Sequence, residues 1–205
     1  MYRVLNLKVI SIFLLAFFFV GVTACSSSKD DDKKKLNYKG VAAKFNDNKE
    51  ATKYTITVYA NQPGEGGDRD TYEREGLIGV DVGHSFVKLE RENADGTKTT
   101  ITIGFYPVNE ANPASPTDDG GIYDDSDEEF DVSKVYEVTE ENFKKALDYI
   151  QSIETSKKKY NLNDYNCTDF AIKTANAAGA NVPDTDGSWP GGGGSNPGDL
   201  GEDIR

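Results

Sequence analysis

The chain holds one histidine, His84, and two cysteines, Cys25 and Cys167. His84 and Cys167 sit in settings suited to nucleophilic chemistry. Gly83-His84-Ser85-Phe86-Val87 opens a strand-like run, and Tyr165-Asn166-Cys167-Thr168-Asp169-Phe170 opens a helix-like run. A thiol at a helix N-terminus feels the partial positive charge of backbone N–H groups that lack an intrahelical acceptor, which favours thiolate. An imidazole brought alongside completes a nucleophile–base dyad. Each residue alone has a plainer reading: a lone cysteine is usually a small buried hydrophobe, and a lone histidine at a strand start is commonly structural. One histidine and one thiol leave no zinc ligand set without recruiting carboxylates, so neither a metal nor a cofactor is implied. Among 35 acidic residues, no spacing singles out a glycosidase-type carboxylate pair.

The elements that must position this pair are α+β. Tyr54, Ile56 and Val58 alternate with Thr55, Thr57 and Tyr59, the period of a strand. Leu77 to Glu90 is β-rich, Asp95-Gly96 marks a turn, and Ile101, Ile103 and Phe105 share one face of the next run. These runs predict a hairpin carrying His84 near its start. Residues 107–131 read as a long loop. Its acids, Asp124, Asp125, Asp127, Glu128, Glu129 and Asp131, lack the glycine and terminal glutamate spacing of a calcium-binding EF-hand loop, so a solvated loop is expected. A short strand, Val135 to Val138, precedes a helix capped by Thr139 with Phe143, Ala146, Leu147, Ile150 and Ile153 on one face. Asn166 is the expected N-cap of a second helix, with Phe170, Ala171, Ala175 and Ala178 facing inward and Gly179 ending it. The expectation is a small antiparallel sheet with two main helices on one face. The Gly/Pro-rich tail from Asp184 should be irregular, pinned by Trp189 and Leu200.

The N-terminus reads as a targeting segment. Arg3 and Lys8 precede an apolar run from Val9 to Val22, too short for a span of about 20 residues. Val22-Thr23-Ala24-Cys25 looks like a bacterial lipobox, which implies cleavage after residue 24 and lipidation of Cys25. Ser26 to Asp32 is similar to the surface-export signal of Bacteroidota lipoproteins, implying an outer-membrane lipoprotein exposed at the cell surface, attached through its N-terminal lipid. Residues 25–52 then form the anchor and a flexible tether, and 53–205 the domain. With Cys25 lipidated, Cys167 has no disulfide partner, and an unpaired cysteine in an exported protein is a candidate reactive thiol. The formal net charge of −12 makes nucleic acid and anionic membrane surfaces poor partners. The oligomeric state is not legible, and a monomer is assumed.

The order of these motifs resembles the circularly permuted papain-like proteins, the group around bacterial cell-wall amidopeptidases, lecithin–retinol acyltransferases and permuted deubiquitinating-type peptidases. A Gly-His-Ser-Phe strand comes first and Asn166-Cys167-Thr168-Asp169-Phe170 opens a later helix, whereas the unpermuted fold places the cysteine helix before the histidine strand. The tail from Gly193 to Leu200 also looks like segments of bacterial effector and toxin-like members. The resemblance covers about residues 54–200 and rests on short motifs. It implies Cys167 as nucleophile, His84 as base, and the Cys167 backbone N–H with the Asn166 side chain as oxyanion donors. The third group, which orients the imidazole, is open: Thr100 and Thr102 on the partner strand, or Asp164 and Asn166 before the cysteine. The absence of a second histidine weakens the acyltransferase branch. Asn166-Cys167-Thr168 also matches a glycosylation sequon, a poor acceptor at a helix start. The implied activity is hydrolysis of amide bonds in a peptide substrate. An acyltransferase with the same dyad, or a non-catalytic surface-binding lipoprotein, are the alternatives.

Overall fold

The computed structural model describes residues 33–47, 49–64, 72–75 and 79–205, so the leader, the lipobox with Cys25, and the Leu77-Ile78 pair lie outside the described residues. The chain folds as α+β. In order come β1 (Lys35–Leu36), α1 (Tyr38–Phe45), β2 (Ala51–Asn61), β3 (Glu73–Glu75), β4 (Gly79–Asp81), β5 (His84–Asn93), β6 (Lys98–Pro107) and β7 (Thr117–Asp124). Then follow β8 (Val132–Val138), α2 (Glu140–Thr155), β9 (Lys159–Asn161), α3 (Cys167–Ala177), β10 (Gly187–Trp189), β11 (Gly192–Gly194) and α4 (Pro197–Ile204).

The main sheet runs β1-β7-β6-β5-β2-β8, with β9 paired to β7, and every pairing is antiparallel. The expected hairpin is β5–β6, closed where Gly96 adopts φ +78° and Asn93 N–H bonds the Thr97 carbonyl at 2.9 Å. Its alternating face, Val87, Leu89, Ile101 and Ile103, is buried, as are Ile56 and Val58 on β2. Helix α3 lies against β5, β6 and β2, and α2 packs beside α3. The stripe expected on α2 is buried throughout, from Phe143 to Ile153, and Thr139 Oγ1 caps the helix by accepting from Asn142 N–H. Gly179, at φ +78°, follows α3 as expected.

Three expectations change. The folded unit begins well before residue 53: β1 pairs with β7, and α1 buries Val41 and sets Phe45 edge-on to Phe143 at 5.1 Å. Only Tyr38, Val41 and Phe45 carry that helix's apolar face, a signal easily lost among lysines and asparagines. Second, 107–131 is not one loop, because Thr117–Asp124 is a strand inside the sheet. Its Asp-Asp-Gly-Gly centre hides the strand in sequence, yet Gly120 is required there: a Cβ would lie 2.0 Å from the Phe105 ring. Third, the tail is ordered into a small hairpin and α4, with Asn196 as N-cap and Pro197 in the first turn. Trp189 and Leu200 are both buried, as expected.

Candidate functional site

Cys167 is the first residue of α3, and the cap that places it is complete. Asn166 Oδ1 accepts from Thr168 and Asp169 N–H, while the Asp169 carboxylate accepts from Asn166 N–H at 3.1 Å. His84 is the first residue of β5. Gly83 ahead of it takes φ +75°, where a Cβ would lie 2.3 Å from the Asn61 carbonyl oxygen, so only glycine turns the chain this way. The residue after each motif ties the two elements together: Thr168 Oγ1 donates to Ser85 Oγ at 3.2 Å, with both side chains fully buried. This contact sets the start of α3 beside the start of β5, near enough for the Cys167 sulfur to help raise the His84 pKa.

The carboxylate held against the imidazole is Asp125, just past β7. His84 Nε2 lies 2.9 Å from Asp125 Oδ2, and the Tyr106 hydroxyl bridges them, 2.7 Å from Nε2 and 2.9 Å from Asp125 Oδ1. Proton accounting fixes the tautomer. Tyr106 has one proton and donates it to Asp125 Oδ1, so towards His84 it can only accept. Nε2 must then carry hydrogen, shared between Asp125 and Tyr106. Nδ1 is buried with no hydrogen-bond partner, so it is the ring atom left open to a further group.

Charge reinforces the arrangement. Burial is the largest single influence and pushes the His84 pKa down, but the charge and hydrogen bond of Asp125, with the Cys167 sulfur, together raise it from 6.5 to about 10. Burial pushes Asp125 up, but the His84 imidazolium and the Lys33 ammonium together more than reverse this, so its carboxyl stays below the usual range. The pair is an ion pair in a dry setting, with side-chain exposures of 1% and 0%. Lys33 Nζ extends the cluster, reaching Asp125 Oδ1 at 3.0 Å, Glu128 Oε2 at 2.6 Å and the Tyr106 hydroxyl.

The third-group candidates read from sequence are therefore replaced. Thr100 and Thr102 pair with Glu90 and Lys88, farther along the hairpin from His84. Asp164 sits in the turn after β9, and its N–H bonds Asn161 Oδ1. Asn166 is the helix cap, not an oxyanion donor: its Nδ2 hydrogens go to the Leu162 and Ser195 carbonyls at 3.1 and 2.7 Å. Cys167 supplies the first backbone N–H of α3, at the positive end of the helix. Asp125 was hidden in a run of six acids expected to be solvated, and its burial corrects that expectation. One signal was available. Gly104 interrupts the strand run Thr102-Ile103-Gly104-Phe105, the mark of a close approach. A Cβ there would lie 2.0 Å from Asp125 Oδ2 and 2.8 Å from His84 Nε2.

The site is closed. Cys167 is 2% exposed, and the cavity beside it is only about 10 Å³, walled by Val82, Tyr160, Trp189, Ser195 and Pro197 among others. Among the described residues, no group of three or more His, Cys, Asp or Glu side chains is arranged to hold a metal ion. No helix among them is long and apolar enough to cross a membrane. No family model, no curated protein and no solved structure matches this chain.

Proposed function

We propose that this protein is a cysteine hydrolase of amide bonds, displayed on a membrane by a lipid on Cys25. The observation that carries the reading is the polarised imidazole: His84 is held on Nε2 by Asp125 and Tyr106, its Nδ1 is left without a hydrogen-bond partner, and Cys167 at the start of α3 is near enough to act on its charge. The motif order, His84 before Cys167, is what the permuted papain-like resemblance implies, and an antiparallel sheet with α3 across it suits it.

The chemistry follows from the geometry. The Cys167 thiolate adds to the substrate carbonyl carbon, and the oxygen takes the negative charge. The Cys167 backbone N–H, aided by the helix end, stabilises that oxyanion. The His84 imidazolium gives its proton to the leaving amine, the C–N bond breaks, and a thioester remains. Water then attacks as neutral His84 accepts its proton, and the thiolate departs with the carboxylic acid product released. Asp125 keeps the imidazole in the required tautomer and balances the charge it gains. By resemblance the substrate is a peptide, in cell wall or in foreign protein.

One observation favours a second reading. A thiol 2% exposed in a sealed site suits a non-catalytic surface-binding lipoprotein that retains the scaffold. Incubation with cell-wall peptides and unfolded protein, with and without an added amine acceptor, separates the readings. Free acid products that vanish in Cys167→Ala support hydrolysis, amide products with the acceptor support acyl transfer, and no turnover of either kind favours the binding lipoprotein.

A further inference from the structure

Lys33 stands on the segment that joins the expected anchor to the domain, and its placement is built rather than incidental. Lys35 pairs with Tyr123 and Leu36 with Ile122, and the Asp124 N–H bonds the Lys34 carbonyl at 3.0 Å. Continuing that register sets Lys33 opposite Asp125. Its side chain is only 16% exposed, unusual for a lysine with solvent close by. All three ammonium hydrogens have acceptors: Asp125 Oδ1, Glu128 Oε2 and the Tyr106 hydroxyl, with the Tyr106 ring centre 4.4 Å away. Tyr106 is then fully committed, accepting from Lys33 and His84 and donating to Asp125.

We infer that Lys33 is a positioning residue of the Cys167–His84–Asp125 site, so residues 33–36 belong to the active site and not to a spacer. This rests on the cysteine hydrolase reading. The charges facing one another form an alternating series: Cys167 thiolate on α3, His84 imidazolium on β5, Asp125 carboxylate past β7, Lys33 ammonium before β1, and Glu128 carboxylate in the following turn. Tyr106 on β6 links the middle members without charge. With Lys33 the series carries one net negative charge, and without it two. Asp125 and Glu128 would then share the imidazolium in a dry pocket, with side-chain exposures of 0% and 7%. Either outcome harms the thiolate. If both acids stay ionised, the added negative charge opposes a further anion at Cys167. If Asp125 takes a proton, His84 loses the partner that keeps it cationic. Both move thiolate formation to higher pH.

The test is the pH profile of Cys167 carboxamidomethylation in the full-length membrane-bound chain, read by mass mapping of the Cys167 peptide. Lys33→Met should raise the reaction midpoint by about half a pH unit or more, roughly threefold slower at a fixed pH on the acid limb. Lys33→Arg should restore the wild-type profile, and Lys98→Met, which removes a half-exposed lysine on β6, should leave it unmoved. An unmoved Lys33→Met profile on a wild-type thiolate would overturn this inference alone, and an equal shift in Lys33→Arg would overturn the role of charge. A wild-type Cys167 that titrates as an ordinary thiol would overturn the dyad, and this inference with it.

Discussion

Two dry regions lie side by side in this fold and are held by opposite physics. Under α2 and α3, Ile56, Val58, Leu89, Ile103, Ile150 and Phe170 pack with no measurable exposure. Around the start of β5, His84, Tyr106 and Asp125 are buried too, yet polar and charged. The first region stabilises by removing apolar surface from water, about 25 cal/mol per Å². The second costs desolvation of each ion, which mutual attraction offsets only when every lone pair and proton is matched. A well-packed apolar cluster of equal volume would serve the fold as well. The difference teaches where to look for function: the polar region has no need to exist for stability, and its unmatched ring atom, His84 Nδ1, marks where a further group would engage it.

The comparison predicts a double dissociation, and the largest effects come first. Cys167→Ala and His84→Ala should each lower hydrolysis by about 10³-fold or more, because groups acting as one unit fail together. Thermal unfolding of Cys167→Ala should stay near wild type, and a loss of about 1–3 kcal/mol with function spared would make the thiol core packing instead. Gly104→Ala sharpens the comparison. Its Cβ meets the far ends of Asp125 and His84 at 2.0 and 2.8 Å, so the ion pair must splay. Turnover should fall by about 10²-fold with the sheet intact by circular dichroism.

The apolar side should behave conversely. Ile150→Ala should cost about 2–5 kcal/mol in chemical denaturation while leaving turnover per folded molecule unchanged. A chain cut to begin at residue 50 loses β1, α1, Lys33 and the Phe45–Phe143 contact, so both stability and turnover should fall. Retention of both would show that the early elements are ornamental.

Acidity gives the finest probe. The raised His84 pKa contributes stability that is complete below about pH 6.5 and is lost as the pH climbs towards about 10. The lowered Asp125 pKa contributes above its ordinary carboxyl range and is lost in acid. The melting temperature should therefore decline between pH 7 and 10 more steeply in wild type than in His84→Gln. His84 gives the chain's only imidazole signal, so its NMR titration can be followed without assignment, and it should remain imidazolium at pH 8.

The sequence exposes the two regions unequally. Apolar periodicity marks β2, β5, β6 and α2 because a strand or helix half in the core must repeat every second or every three to four residues. The Cys167–His84 pair is legible through composition, one histidine and one thiol in suggestive local settings. Asp125, Tyr106 and Lys33 are not, since nothing local distinguishes them from the neighbouring acids, tyrosines and lysines. Only strand register brings them to His84, and register is a long-range property. Asn166 shows the reverse error: a polar residue beside a nucleophile suggests an oxyanion donor, yet capping the helix uses its carbonyl oxygen, and two backbone carbonyls take its amide hydrogens.

The most direct test of the central claim is the ionisation of Cys167 with and without its imidazole. In wild type, the pH midpoint of Cys167 alkylation should lie at least about one unit below the 8.5 of a free thiol, and His84→Ala should return it to 8.5 or above. Coincident midpoints near 8.5 in the two proteins would mean that Cys167 and His84 are neighbours without being a reactive pair.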